Sequence, residues 1–378
     1  MNCGRFGVSI LLHTTIYDRI MFQSDEIFQP DPTLDDAGEI GPSLRLSLLR
    51  HLGELIRDLT CDTEMRLHGP APVGPDAPEA SLDEAEPAGA ALEVIALSDY
   101  GDEAALHAVR MEALQVFETR PLGQEAVVVV WVDAVHLWGR PLVLCTAATM
   151  EGYHRILGFA EASLQDLAAM QQLFQDLIDR GLCVERGLLC VTPGTAALSP
   201  ILIKCLGPQV RLQYCQMHKR ERVISYLSEA DRLRIRGAIT RAFALPEAAQ
   251  AHTALMQIHA ELRHSNRSAA QWLLQDLEQT LTVHRSGLVQ KLSSSLRSTR
   301  CIVRVAQHLN QRLRGVRHWL PPDSRRAQIA LLLLEKELHM RRLAHASYLS
   351  AMQAALFAEA PDTEGFAPHS MLHKSPVS

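Results

Sequence analysis

The sequence predicts an α/β fold: a mixed β-sheet with helices on its faces, led by an acidic, partly disordered N-terminal region and followed by a long helical stretch. Three observations carry this. The apolar runs between residues 125 and 160 are short and rich in β-branched side chains, as buried strands are. Between residues 163 and 214, helix-period segments alternate with strand-type segments. From Lys219 onward the pattern is helical throughout. The chain has 378 residues, 47% of them apolar and 21% charged, which suits two or three packed modules and argues against wholesale disorder.

Residues 1–40 carry no sustained period, and Gln29-Pro-Asp-Pro-Thr33 with Asp35-Asp36 marks an acidic lead-in. Leu46, Leu48, Leu49, Leu52, Leu55 and Ile56 then recur at helical spacing, predicting a helix over Leu44–Leu59. His68–Gly89, with five prolines among acidic residues, reads as a linker. Residues 90–124 form a short helical connector, its best helix at Ala104–Phe117. Ala126–Val132 predicts a buried strand ending at Asp133, with further strands at Arg140–Thr149 and His154–Phe159. Turns at Gly139-Arg140 and Glu151-Gly152 make these an antiparallel meander. Ser163 reads as the N-cap of a helix through Arg180, stopped by Gly181. Gly187–Val191, Ala196–Leu206 and Val210–Tyr214 follow as strand, helix and strand. That β-β-β-α-β-α-β order over 125–218 is a ribonuclease-H-like layout. Residues 219–290 read as a large α-helical insertion, 291–356 as final basic helices completing the core, and 357–378 as a frayed tail; Gly237, Pro246, Gly287 and Pro321-Pro322 punctuate the helices.

Charge is unevenly spread. Residues 1–125 hold 8 Lys+Arg and 23 Asp+Glu, a net of −15, whereas 126–378 hold 29 and 20, a net of +9. His284–Arg342 alone carries 13 basic against 3 acidic residues. This suits a nucleic-acid surface, two mutually attracting halves, or an ordinary solvated helix face. Arginine forks match phosphate oxygens, and an interleaved aromatic can stack on bases. The candidates are Arg297, Arg300, Arg304, Arg312, Arg314 and Arg317, with Trp319 among them. Arg297, Arg300 and Arg304 would share one helix face at i, i+3, i+7. The longest apolar run is seven residues, too short to cross a bilayer, and the 8 cysteines lack paired spacing, as reduced thiols in a cytoplasmic setting would.

Two motifs could carry chemistry. Asp133 closes a run of six hydrophobic residues, a costly place for a charge without a partner. It is either a strand-end Asp, turned to solvent or capping the following turn, or a carboxylate for a divalent cation, and a two-metal site needs several such groups. If it is unpartnered, Asp133→Asn leaves stability unchanged or raises it. Cys215-Gln-Met-His218 is half of a zinc site or a structural pair, with Cys205 and His136 as loose further ligands.

An ordered set of segments carries a family resemblance. Ser163-Leu-Gln-Asp166, Leu177-Ile-Asp-Arg-Gly-Leu182, Val191-Thr-Pro-Gly-Thr195, Gln213-Tyr-Cys-Gln-Met-His-Lys-Arg220, Leu277-Glu-Gln-Thr-Leu-Thr-Val283 and Leu296-Arg-Ser-Thr299 occur in sequence. Gly315-Val-Arg-His-Trp319 and Leu333-Leu-Glu-Lys-Glu-Leu338 follow. Together they resemble the bacterial Mutator-type insertion-sequence transposases over roughly 60% of the chain. The resemblance implies a ribonuclease-H-like core and DNA cleavage and strand transfer by an Asp-Asp-Glu triad holding two Mg²⁺. It implies DNA (transposon ends and target) as partner and a homo-oligomeric assembly, with no membrane and no small-molecule substrate. Carried over position by position, the first Asp falls on Asp133, the second on Pro193 and the Glu on Val303. Pro and Val offer no side-chain oxygen. This copy is therefore expected to be catalytically silent, with strand transfer down at least ~10³-fold. Asp179 and Glu335 are the candidate substitute acids, and a non-catalytic DNA- or partner-binding remnant is the alternative. The head also departs from the family, whose members carry a basic DNA-end-binding region there.

Overall fold

The computed structural model describes residues 103–195, 197–292, 294–313 and 321–358. The acidic head with its Leu44–Leu59 helix, the Pro-rich linker, Arg314, Arg317, Trp319 and nearly all of the tail lie outside the described residues. The chain divides into two units. One contains helix α1 (Glu103–Thr119) as far as Phe117, together with α10 (Pro322–Leu338). In α10, Ala327, Ile329, Ala330, Leu333 and Leu334 are buried, along with Gln328 and Glu337.

The other unit holds the sheet, and the expected α/β architecture with a mixed sheet is found there. Five strands, β1 (Val127–Leu137), β2 (Arg140–Thr149), β3 (His154–Ala160), β4 (Leu188–Thr192) and β5 (Val210–Tyr214), lie in the order β3-β2-β1-β4-β5. β1 pairs antiparallel with β2, and β2 with β3, as the meander predicts; β4 and β5 continue from β1 in parallel. Helix α2 (Leu167–Asp179) connects β3 to β4, and α3 (Leu198–Leu206) connects β4 to β5. One sheet face meets these two helices: Val130, Val132, Cys145, Leu188 and Cys190 pack with Met170, Phe174, Leu177, Leu198 and Leu202.

After β5 come α4 (Gln216–Ile224), α5 (Glu229–Phe243), α6 (Ala248–Ser265), α7 (Arg267–Leu274) and α8 (Leu277–Thr280). They enclose their own core of Val223, Ile235, Ile239, Leu255, Leu262 and Leu273. Two 3₁₀ turns, Val283–Ser286 and Ser294–Arg297, lead into α9 (Arg300–Arg312), and α11 (Leu349–Phe357) follows later. The segment after α8 covers the free edge of β5. Gln213 Nε2 donates to the Thr280 carbonyl at 2.7 Å, its Oε1 accepts from Val283 N at 2.8 Å, and Thr282 Oγ1 donates to the Leu212 carbonyl at 2.7 Å. An edge strand thereby finds partners for its polar groups.

Several local readings shift. β1 runs on to Leu137, because Ala134–Leu137 keep their ladder to Val143–Arg140 after the apolar run ends; Asp133 is therefore mid-strand. The hairpin turn is Trp138-Gly139, both left-handed at φ 52 and 73, one residue earlier than expected. That two-residue geometry matches the twist of the flanking strands. Ser163 is not the cap of α2: Asp166 is, its Oδ1 accepting from Ala169 N at 3.0 Å. Gly237 lies inside α5 and does not end it, a position that costs about 1 kcal/mol against Ala but does not break a helix. Gly152 is required where it stands: at φ 87, a Cβ would come within 2.5 Å of Ala346 Cβ. Among the described residues no helix is long and apolar enough to cross a membrane.

Candidate functional site

Side chains alternate along β1, so Trp131 and Asp133 face away from α2 and α3, toward the segment that leads into α9. Trp131 Nε1 donates to the Ser295 carbonyl at 2.8 Å, and Thr146, paired with Trp131 on β2, reaches Cys301 Sγ at 3.8 Å. These contacts hold α9 across the centre of the sheet. Thr299 is the N-cap residue of α9 but makes no side-chain cap bond. Its hydroxyl instead donates to Asp133 Oδ2. Asp133 Oδ1 accepts from Ala134 N at 2.7 Å.

The Cys-x-x-His motif converges on the same point. Cys215 is the N-cap residue of α4, and His218 lies in the helix's first turn. Thr299 N donates to Cys215 Sγ at 3.4 Å, and Thr299 Oγ1 lies 3.4 Å from His218 Nδ1. His218 Nε2 is 3.7 Å from Asp133 Oδ2. Asp133 is 4% exposed and Cys215 fully buried, whereas the His218 side chain is 39% exposed. Burial raises the Asp133 carboxyl above its ordinary range, against the opposing pull of His218, Thr299 and Ala134. Burial would lower His218, but the Cys215 sulfur, then Asp133 and Glu221, outweigh it and push the imidazole up. Burial would raise the Cys215 thiol; hydrogen bonds and charge from His218 carry it down instead. The arrangement is a mutually hydrogen-bonded set of buried thiol, hydroxyl and carboxylate with a half-exposed imidazole, and it ties β1, α4 and α9 together.

Asp133 is thus neither turned to solvent nor unpartnered, so the condition under which Asn in its place would be harmless is not met. Neither Cys205 nor His136 joins Cys215 and His218. Cys205 is half-buried on α3 and His136 is exposed three residues further along β1. Among the described residues no group of three or more His, Cys, Asp and Glu is placed to hold a metal ion.

The two other positions carried over from the resemblance can be placed. The parallel ladder pairs Trp131 with Val191, so Pro193 follows β4 at the level of Asp133 on β1. Val303 lies one helical turn beyond Thr299 on α9, on the same face. Asp179 is exposed at the end of α2, the helix on the opposite sheet face, and accepts from Gln175 Nε2 at 2.8 Å. Glu335 lies on α10, in the other unit.

The basic residues are not one face. Arg297 belongs to a 3₁₀ turn, not to α9, and donates to the Phe243 carbonyl at 2.8 Å; burial lowers its guanidinium from the usual value. Arg300 and Arg304 are exposed on α9 one turn apart, and Arg312 is half-buried in its last turn. Sequence patterning missed Thr299 as the partner of Asp133, because 166 residues separate them and nothing local announces the pairing.

A family model described as Transposase, Mutator family, matches residues 103–341. The chain belongs to this family. Residues of this Mutator-family chain are also 31% identical over 115 positions to the transposases for insertion sequence element IS1081 of Mycobacterium tuberculosis (strain ATCC 25618 / H37Rv) and Mycobacterium bovis (strain ATCC BAA-935 / AF2122/97). Each match covers 28% of this chain and 27% of the relative. The chain therefore spans about a quarter of the length of these curated relatives.

Proposed function

We propose that this chain is a Mutator-type transposase by descent whose strand-transfer centre is catalytically silent, leaving a DNA-binding protein built on a ribonuclease-H-like core. The strand order β3-β2-β1-β4-β5 around a central β1 supports that core, with residues 219–290 as its helical insertion and α9 following it. The observation that carries the silence is the company of Asp133: Pro193 just past the end of the neighbouring strand β4 and Val303 one turn past Thr299. A pair of Mg²⁺ ions needs several converging oxygens. The donor set around Asp133 does not fit that pair. Its oxygens already accept from Thr299 and Ala134, and the adjoining groups are a sulfur and an imidazole.

DNA, transposon ends and target alike, is the partner this reading assigns, through Arg300 and Arg304, in a homo-oligomer and a cytoplasmic setting. The test is a strand-cleavage assay in Mg²⁺ or Mn²⁺ on DNA carrying the flanking ends of the gene's own locus. The wild-type chain is compared with a Pro193→Asp, Val303→Glu double variant. Cleavage by the double variant alone is the expected result. Cleavage by the wild-type chain would overturn the silence and the triad positions together. Silence of both, with DNA still bound, favours the binding remnant.

A further inference from the structure

The helices after β5 carry a feature that neither the triad positions nor the basic residues of α9 use. Tyr226, just past α4, and Trp272 on α7 stack with ring centroids 6.4 Å apart and planes 19° from parallel. The Arg222 guanidinium lies over both rings, 4.6 Å from the Trp272 centroid and 5.5 Å from that of Tyr226. Tyr226 is 37% exposed, Arg222 is exposed and Trp272 half-buried.

The backbone holds this group in place. Lys219 Nζ donates to the Trp272 carbonyl at 3.1 Å and to that of Gln275, and Asn266 Nδ2 donates to the Tyr226 carbonyl at 2.7 Å. Arg222 meets the two ring faces but, among the described residues, pairs with no acid. Its neighbour Glu221 is engaged by Arg220 and Arg236, each at 2.9 Å. Among the described residues Arg222 has no carboxylate partner. Stacked rings capped by a guanidinium that pairs with no carboxylate match an unstacked base and its phosphate, one group for each part of a nucleotide.

We propose that Trp272, Tyr226 and Arg222 form a stacking platform for an unpaired nucleobase of single-stranded or frayed DNA, with Arg222 facing the adjoining phosphate. The proposal rests on the DNA-binding reading above and adds to it a preference for unpaired over fully paired DNA. The occupant is DNA and not a peptide because both the stack and the Arg222 cation are met by successive parts of one nucleotide.

The test uses the full chain and two oligonucleotides of the same sequence, one a blunt duplex and one carrying a three-nucleotide overhang with 2-aminopurine in it. Stacking quenches 2-aminopurine emission. The expected result is quenching on binding the overhang, with emission restored in Tyr226→Ala and Arg222→Gln. Affinity for the overhang falls about ten-fold in those variants, with the blunt duplex unaffected. Both substitutions are at exposed positions, and circular dichroism checks that the variants fold; Trp272→Leu is the third, more buried variant. Wild-type protein that binds both DNAs without quenching, or variants that quench as well as wild type, overturn the platform and leave the DNA-binding reading standing. No binding to either oligonucleotide overturns both.

Discussion

At the scale of single residues, the decisive group is Thr299. A hydroxyl that would ordinarily cap its own helix crosses to the carboxylate of Asp133, while its backbone N–H serves Cys215. Removing one partner of a buried hydrogen bond leaves the other desolvated and unsatisfied, which costs about 1–3 kcal/mol. Thr299→Val is therefore expected to lower unfolding stability by about that amount, and Asp133→Asn to lower it as well, since the amide has only one oxygen to offer Thr299 and Ala134. The double variant should cost less than the sum, because each change removes the same bond. Urea unfolding of the four proteins measures this. Strict additivity, or a stabilising Asp133→Asn, would show that the two side chains do not interact. What was legible here was the oddity of Asp133, a charge closing an apolar run. What was not legible was its partner, since a hydrogen bond across 166 residues leaves no mark on local spacing.

At the scale of elements, the strands were legible because burial on both faces writes continuous apolar runs, and the turns because Gly139, Gly152 and Gly181 take left-handed backbone. Boundaries were not. β1 outlasts its apolar run because its ladder to β2 does not depend on hydrophobic side chains. Arg297 fell on the wrong element because helical spacing of charges does not reveal that the first of them belongs to a 3₁₀ turn. The consequence is a buried junction. His284 Nε2 meets the Phe243 carbonyl at 3.2 Å, and Arg297 donates to the same carbonyl. Burial, then the nearby Arg297 charge, pushes His284 down to about 4 from the usual 6.5. A depressed imidazole stabilises the fold only while neutral. Its contribution is complete above pH 6.5 and is lost as pH falls toward 4, by as much as about 3 kcal/mol. Replacing His284 with Gln, which can still donate to Phe243, should flatten the decline in stability between those pH values. Chemical denaturation at a series of pH values reads it directly; an unchanged slope would mean His284 does not titrate with folding.

At the scale of the whole molecule, the net −15 of residues 1–125 and the +9 of the remainder separate the chain electrostatically. Only part of the positive excess can face a phosphate backbone. The sequence puts Arg297, Arg300 and Arg304 on one face, but the fold turns Arg297 inward and leaves Arg300 and Arg304 exposed. Each arginine withdrawn from a phosphate should reduce the salt dependence of DNA affinity by about 0.9 in the slope of log K against log salt. Alanine at Arg300 and Arg304 together should thus flatten the slope by about 1.8. Arg297→Ala should leave the slope as it is and lower stability instead, because it removes a buried donor from Phe243. Binding isotherms for a duplex at several salt concentrations, with unfolding curves for the same proteins, separate the two effects. A slope that flattens with Arg297→Ala in a fully stable protein would return that residue to the DNA surface. A slope unmoved by alanine at Arg300 and Arg304 would take DNA binding away from α9.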